Sequence, residues 1–135
     1  MALDIQQRER DGISILDLKG RITVGPEAGA LRERIAALAA AGTPNLVFNL
    51  KDVDYIDSTG LGALVMCATG LRKVQGNVKL VNLSRRNIEL LVMTKLATVF
   101  EIFNDEQDAV NSFYPGRKIE TFDILSFVQE LKNEE

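Results

Sequence analysis

From Leu46 onward the chain alternates short apolar runs with segments whose apolar residues recur at three- and four-residue steps. The runs Leu46–Leu50, Val78–Leu83 and Phe100–Phe103 have strand length. Between them, Leu61, Leu64, Val65, Ala68 and Leu71 fall on one side of a helix, as do Ile88, Leu91 and Val92 of the next. Strands separated by single helices return in the same direction through right-handed crossovers. This alternation therefore predicts a largely parallel sheet with helices packed against it.

The N-terminal part adds an antiparallel pair. Asp11-Gly12 is a hairpin turn signal between Ile5–Glu9 and Ile13–Leu18, both readable as strands. Pro26 and Glu27 suit a first helical turn, and Ala28, Leu31, Ile35 and Leu38 give that helix one apolar face before Gly42-Thr43-Pro44 stops it. Ser84 is the natural N-cap of the third helix, and Asp105 with Asp108 marks a short fourth helix ending near Phe113. The predicted order is ββαβαβαβα, an α/β domain with a mixed, mostly parallel sheet. Its helical segments are too short for a doubly wound dinucleotide fold of usual size.

The 135 residues suffice for one hydrophobic core, and 46% hydrophobic with 26% charged residues is an ordinary globular balance. One domain is expected over 1–114. After Pro115-Gly116, the residues Phe122, Ile124, Leu125, Phe127, Val128 and Leu131 predict an amphipathic helix within a C-terminal extension, 115–135. That helix either covers part of the same domain, the favoured reading, or meets a partner or a second copy of the chain. A monomer or a weak dimer through the extension is expected.

Several function classes recede on composition. The formal charge is −3 and the basic pairs Arg72-Lys73 and Arg85-Arg86 are isolated, which argues against a nucleic-acid footprint; the pairs read first as solvated helix ends, with contact to a partner's acidic patch as the alternative. No apolar run approaches the ~18 residues of a membrane span. The N-terminus shows no signal-peptide pattern, so a cytoplasmic protein is expected. The single Cys67 lies in an apolar stretch and reads as buried filler. With no histidine, a hydrolytic triad and most zinc sites are disfavoured. Neither Lys51 nor Asp57 forms a base-and-orienter arrangement with a nucleophile, so no catalytic residue is assigned. Asp52, Asp54 and Asp57 read as solvated carboxylates rather than metal ligands. Gly20, Gly25 and Gly29 do not make a phosphate loop, and no cofactor is expected.

The densest signal is Val53-Asp54-Tyr55-Ile56-Asp57-Ser58-Thr59-Gly60-Leu61-Gly62, where a strand passes into a helix spanning Ser58 to Val74. Asp57 or Ser58 can cap that helix, and Gly60 and Gly62 leave its first turn without bulk. Opposite the sheet-facing residues stand Thr59, Gly62, Ala63, Met66 and Gly70. An uncharged helix face of this kind predicts a docking surface, with Met66 as an adaptable contact. The alternative is that the tail or a loop covers it.

The string Asp57-Ser58-Thr59-Gly60-Leu61-Gly62, placed after Gly20-Arg21-Ile22 and a helix and followed by Leu83–Phe100 and Phe103-Asn104-Asp105, resembles the STAS domain of bacterial anti-sigma factor antagonists. The resemblance covers about Ile5 to Phe113. It implies a partner switch: the unmodified protein binds an anti-sigma factor serine kinase and frees a sigma factor, phosphorylation of Ser58 releases the kinase, and a phosphatase resets the cycle. It further implies a partner surface at Asp57, Ser58, Thr59, Gly60, Gly62, Ala63 and Met66. The family often carries an aspartate where this chain has Thr23, also near the partner surface, which leaves the kinase subgroup open. Two other functions remain at this stage. One is a STAS subunit of another assembly, such as a stress-sensing complex or a lipid-transport ATPase complex. The other is an enzyme with Ser58 as nucleophile, disfavoured for want of a base.

Overall fold

The computed structural model describes residues 3–23, 25–42, 44–120 and 122–134. Strands β1 (Asp4–Arg10), β2 (Ile13–Ile22), β3 (Asn45–Ile56), β4 (Asn77–Val81) and β5 (Glu101–Phe103) lie in one sheet in that order. The helices are α1 (Pro26–Ala40), α2 (Ser58–Lys73), α3 (Arg85–Met93), α4 (Glu106–Asn111) and α5 (Ile124–Glu134). The first pair of strands is antiparallel and all others are parallel. Asp11 and Gly12 both have positive φ, 53° and 85°, the geometry a two-residue hairpin needs to match the strand twist. The expected roles of Ala28 and Glu27 in α1, and of Thr43 in its stop signal, fall outside the described residues or side chains.

The strand sequences sort themselves by the period of two. Leu46, Phe48 and Leu50 of β3 and Val78 and Leu80 of β4 join Leu31, Ile35, Leu61, Leu64, Leu71 and Leu91 in the larger core. Alternate residues Val47, Val81 and Phe103 face the other way and meet Ala109 and Val110 of α4. Three helices thus cover one face of the sheet and the short α4 covers part of the other. A polar chain holds α4 there. Arg8 donates to Asp17 at 2.6 Å and pairs with Glu106, and Asn49 donates to Asp17 at 2.8 Å. The Arg8 guanidinium, and secondarily Asn49, hold the Asp17 carboxyl below its ordinary range.

Strand β3 runs to Ile56, well past the apolar run that ends at Leu50, because the long β2 continues beside it. Register shifts between Asp17 and Lys19 and between Gly20 and Arg21 realign the pair so that Ile22 stands opposite Ile56. This extension delivers the strand-to-helix corner.

The extension folds back on its own chain. Phe122 N–H donates to the Ile102 carbonyl of edge strand β5, and Phe122 and Ile124 pack against the larger core. Phe127 is buried, its ring centroid 5.9 Å from that of Phe122, with the Arg85 guanidinium 5.8 Å above it. Arg85 also pairs with Glu134. Phe127→Ala should cost about 2 kcal/mol, less than a central phenylalanine, whose loss costs about 3–5 kcal/mol. Hydrogen exchange should show amides of 122–134 losing protection while β3 keeps its own; unchanged protection in the tail would contradict this packing.

Candidate functional site

The corner is built by two contacts to the end of β2. Asp57 N–H donates to the Ile22 carbonyl at 3.3 Å, tying the start of α2 to the neighbouring strand. Gly60, one turn in, is buried so closely on the same carbonyl that a Cβ there would lie 1.8 Å from the Ile22 oxygen. The absence of bulk at Gly60 therefore serves the chain's own backbone, not an incoming molecule. Asp57 is the N-cap, extended in backbone, its side chain accepting from Gly60 N–H at 2.7 Å. That bond satisfies one orphan donor of the helix and leaves the first residue of α2, Ser58, exposed. Thr23 is half-buried immediately after Ile22.

The predicted docking face needs one correction. Thr59, Gly62 and Gly70 are exposed and Met66 is 58% exposed, but Ala63 is buried at 3%. Helix α1 packs against α2 as well as the sheet does: Cys67 and Leu71 border the groove between the two helices, and Ala63, one turn before Cys67 on the same side of α2, is buried along with Leu61, Leu64 and Ala68. Two neighbours bury α2 over a wider arc than the sheet alone would. Between the two helices lies an apolar groove of about 340 Å³, bordered by Arg32, Ile35, Ala39, Met66 and Gly70.

Cys67 is buried filler, as its apolar surroundings predict. Burial pushes its thiol up to about 11, with Arg32 opposing weakly. At pH 8 the folded protein should resist a thiol-labelling reagent, reacting only as fast as the fold opens, whereas the urea-unfolded chain should label at once. Labelling of the native protein within seconds would refute the α1–α2 packing.

Beside Ser58 a second cavity, about 310 Å³, lies between α2 and α3. Its lining includes Tyr55, Asp57, Ser58, Arg86, Leu90 and Met93. Arg86 and Arg21 both lie over the Tyr55 ring, at 5.1 and 6.0 Å from its centroid. Arg85 and Arg86 are exposed, as helix-end residues should be, but the stacking of Arg86 on Tyr55 has no counterpart in the local sequence pattern. The available signal was topological: parallel neighbours β3 and β4 bring the starts of the following helices together. Among the described residues no group of three acidic or cysteine side chains is placed to hold a metal ion, and no helix is long and apolar enough to cross a membrane.

A five-stranded mixed sheet backed by three helices, with an exposed serine on the first turn of the helix leaving its central strand, defines a small α/β module whose distinctive feature is a surface hydroxyl beside the cavity between α2 and α3. The chain belongs to the STAS domain family, whose model matches residues 4–109. It is 41% identical over 100 residues to the anti-sigma-B factor antagonist of Bacillus subtilis, covering 74% of this chain and 88% of that protein. To the anti-sigma-B factor antagonist of Listeria monocytogenes it is 32% identical over 106 residues, covering 78% and 91%. The crystal structure of an anti-sigma factor antagonist from Mycobacterium paratuberculosis superposes with a TM-score of 0.70 at 25% identity, covering 82% of this chain and 93% of that one. Helix α5 lies beyond the matched residues.

Proposed function

We propose that this chain is an anti-sigma factor antagonist that works as a phosphorylation-controlled partner switch. The observation that carries it is the exposed Ser58 hydroxyl at the start of α2, within a chain 41% identical to an anti-sigma-B factor antagonist. Unmodified, the protein binds an anti-sigma factor that is itself a serine kinase, and a sigma factor is freed. The contact surface is Ser58 with Asp57, Thr23, Thr59, Gly62 and Met66; Gly60 and Ala63 support it from beneath. The kinase then transfers the γ-phosphoryl group of its ATP to Ser58. An Oγ–P bond forms, the bond to the β-phosphate oxygen breaks, ADP leaves, and the hydroxyl proton passes to the kinase or to water. A phosphatase reverses the modification. On this view the protein acts in the cytoplasm, ATP belongs to the partner, and no residue of this chain is a catalyst.

Electrostatics favours release without unfolding. The phosphate adds about −1.5 to −2 charges and three acceptor oxygens at a helix N-terminus, where the dipole and free N–H groups accept an anion. In a fitted interface the same group is bulky and costly to desolvate. The unit that switches is the domain 1–114. We assign the extension 115–135 a supporting part, with the protein monomeric, because α5 is packed on its own chain.

Incubation with ATP and the kinase encoded nearby, followed by intact-mass analysis, tests this function. One added phosphate that disappears in Ser58→Ala is expected. A wild type that binds its partner stably and never gains a phosphate would favour the second reading, a STAS subunit of another assembly.

A further inference from the structure

The starts of α2 and α3 are neighbours because the strands that feed them pair in parallel, Asn49 opposite Val81. Ser58 and Arg86 line the cavity between them together with Tyr55. Arg86 is exposed, yet its guanidinium is held 5.1 Å from the Tyr55 centroid, and Arg21 comes to 6.0 Å from the same ring. The adjacent Arg85 differs: it is engaged with Glu89 and Glu134. Among the described residues neither Arg86 nor Arg21 has a carboxylate within ion-pair distance.

Two guanidinium groups share one aromatic ring beside the hydroxyl, and although Asp57 and Glu89 also line the cavity, neither arginine is held in an ion pair among the described residues. The ring attracts each cation through its negative face while the N–H donors stay available to an anion. Arginine is also the side chain best suited to a phosphate, through two parallel charge-assisted hydrogen bonds. We propose that Arg86 is an intramolecular receptor for the phosphate of modified Ser58, poised by Tyr55 and with Arg21 adding to the positive field. The phosphate then occupies the cavity between α2 and α3 instead of projecting from α2. Modification therefore removes the Ser58 hydroxyl from the partner surface, adds charge there and engages the Arg86 guanidinium within the same cavity. This rests on Ser58 being the modified residue, but it is separable from whether the kinase reaches it.

The test installs phosphoserine at position 58 during translation, so no kinase is needed, and follows its ionisation by phosphorus NMR. The charged groups lining or flanking the phosphate are Asp57 of α2, Arg86 and Glu89 of α3, and Arg21 of β2. Free phosphoserine has its second ionisation at about 6. An adjacent arginine should bring it about one unit lower in the otherwise unchanged protein. Arg86→Gln should recover at least half of that difference. Arg85→Gln removes the same charge one residue away from an arginine already paired with carboxylates, and should leave the ionisation nearly unchanged. If Arg86→Gln titrates with the parent, or if Arg85→Gln moves the ionisation equally, Arg86 is not the receptor. Failure here leaves the switch standing, and failure of the kinase to modify Ser58 leaves this measurement intact.

Discussion

Gly60→Ala should lower the thermal midpoint by about 12 °C, while the same substitution two residues later, Gly62→Ala, should raise it slightly. At Gly60 the new Cβ would lie 1.8 Å from the Ile22 oxygen and 2.5 Å from the Ile22 carbonyl carbon. The obstacle is backbone, pinned in the β2–β3 pairing, so it cannot rotate away as a side chain would. Overpacking usually costs about 1–3 kcal/mol, and a rigid obstacle belongs at the upper end or above it. At about 4 °C per kcal/mol for a domain of this size, about 3 kcal/mol gives the stated shift. At Gly62 a Cβ meets nothing within 4 Å, so alanine keeps only its advantage in an exposed helix, about 0.5–1 kcal/mol. Thermal melts of the two variants give the answer. Equal effects of the two substitutions would remove the close approach of α2 to β2 from the description of the corner.

Ser58→Asp should reduce affinity for the partner kinase about a hundredfold or more, and Ser58→Ala should bind at least as tightly as the wild type. A hundredfold corresponds to about 2.7 kcal/mol, within reach of one uncompensated charge in a fitted contact. The fold should not report the change. Ser58 is exposed, its neighbour Asp57 already supplies the cap, and a carboxylate at the first position of a helix is mildly favourable. Stability should therefore stay within about 0.5 kcal/mol of the wild type. Binding titrations alongside thermal melts separate the two effects. An Asp variant that binds undiminished would end the switch as proposed, and one that binds poorly because it is unfolded would show it in the melt.

Much of this was legible along the chain because it depends on local patterns. Alternating runs and amphipathic segments specified strands, helices and parallel pairing; Asp11-Gly12 specified the hairpin turn; Ser84 and Asp105 cap α3 and α4 by accepting from the N–H three residues on. The family could be recognised from a motif in an order of elements. The tail's apolar spacing predicted a helix within 115–135, but its start at Ile124, after Phe122 has bonded to the β5 edge, was set by that contact.

The corner shows where sequence alone stopped. By itself the string Asp57 to Gly62 determined a capped helix start with a hydroxyl at its first residue and room for a close approach. Which backbone makes that approach is a matter of which strand lies alongside, and β2 reaches Gly60 only because two register shifts bring Ile22 level with Ile56. Likewise, a helical wheel drawn against a flat sheet leaves Ala63 on the outside, whereas with α1 as well as the sheet packed on α2 it is buried. Arg86, twenty-eight positions beyond Ser58 in the chain, becomes its neighbour solely because β3 and β4 pair in parallel. Periodicity encodes which residues share a face of one element; contacts between elements arise from packing all of them at once, and that only the tertiary structure decided.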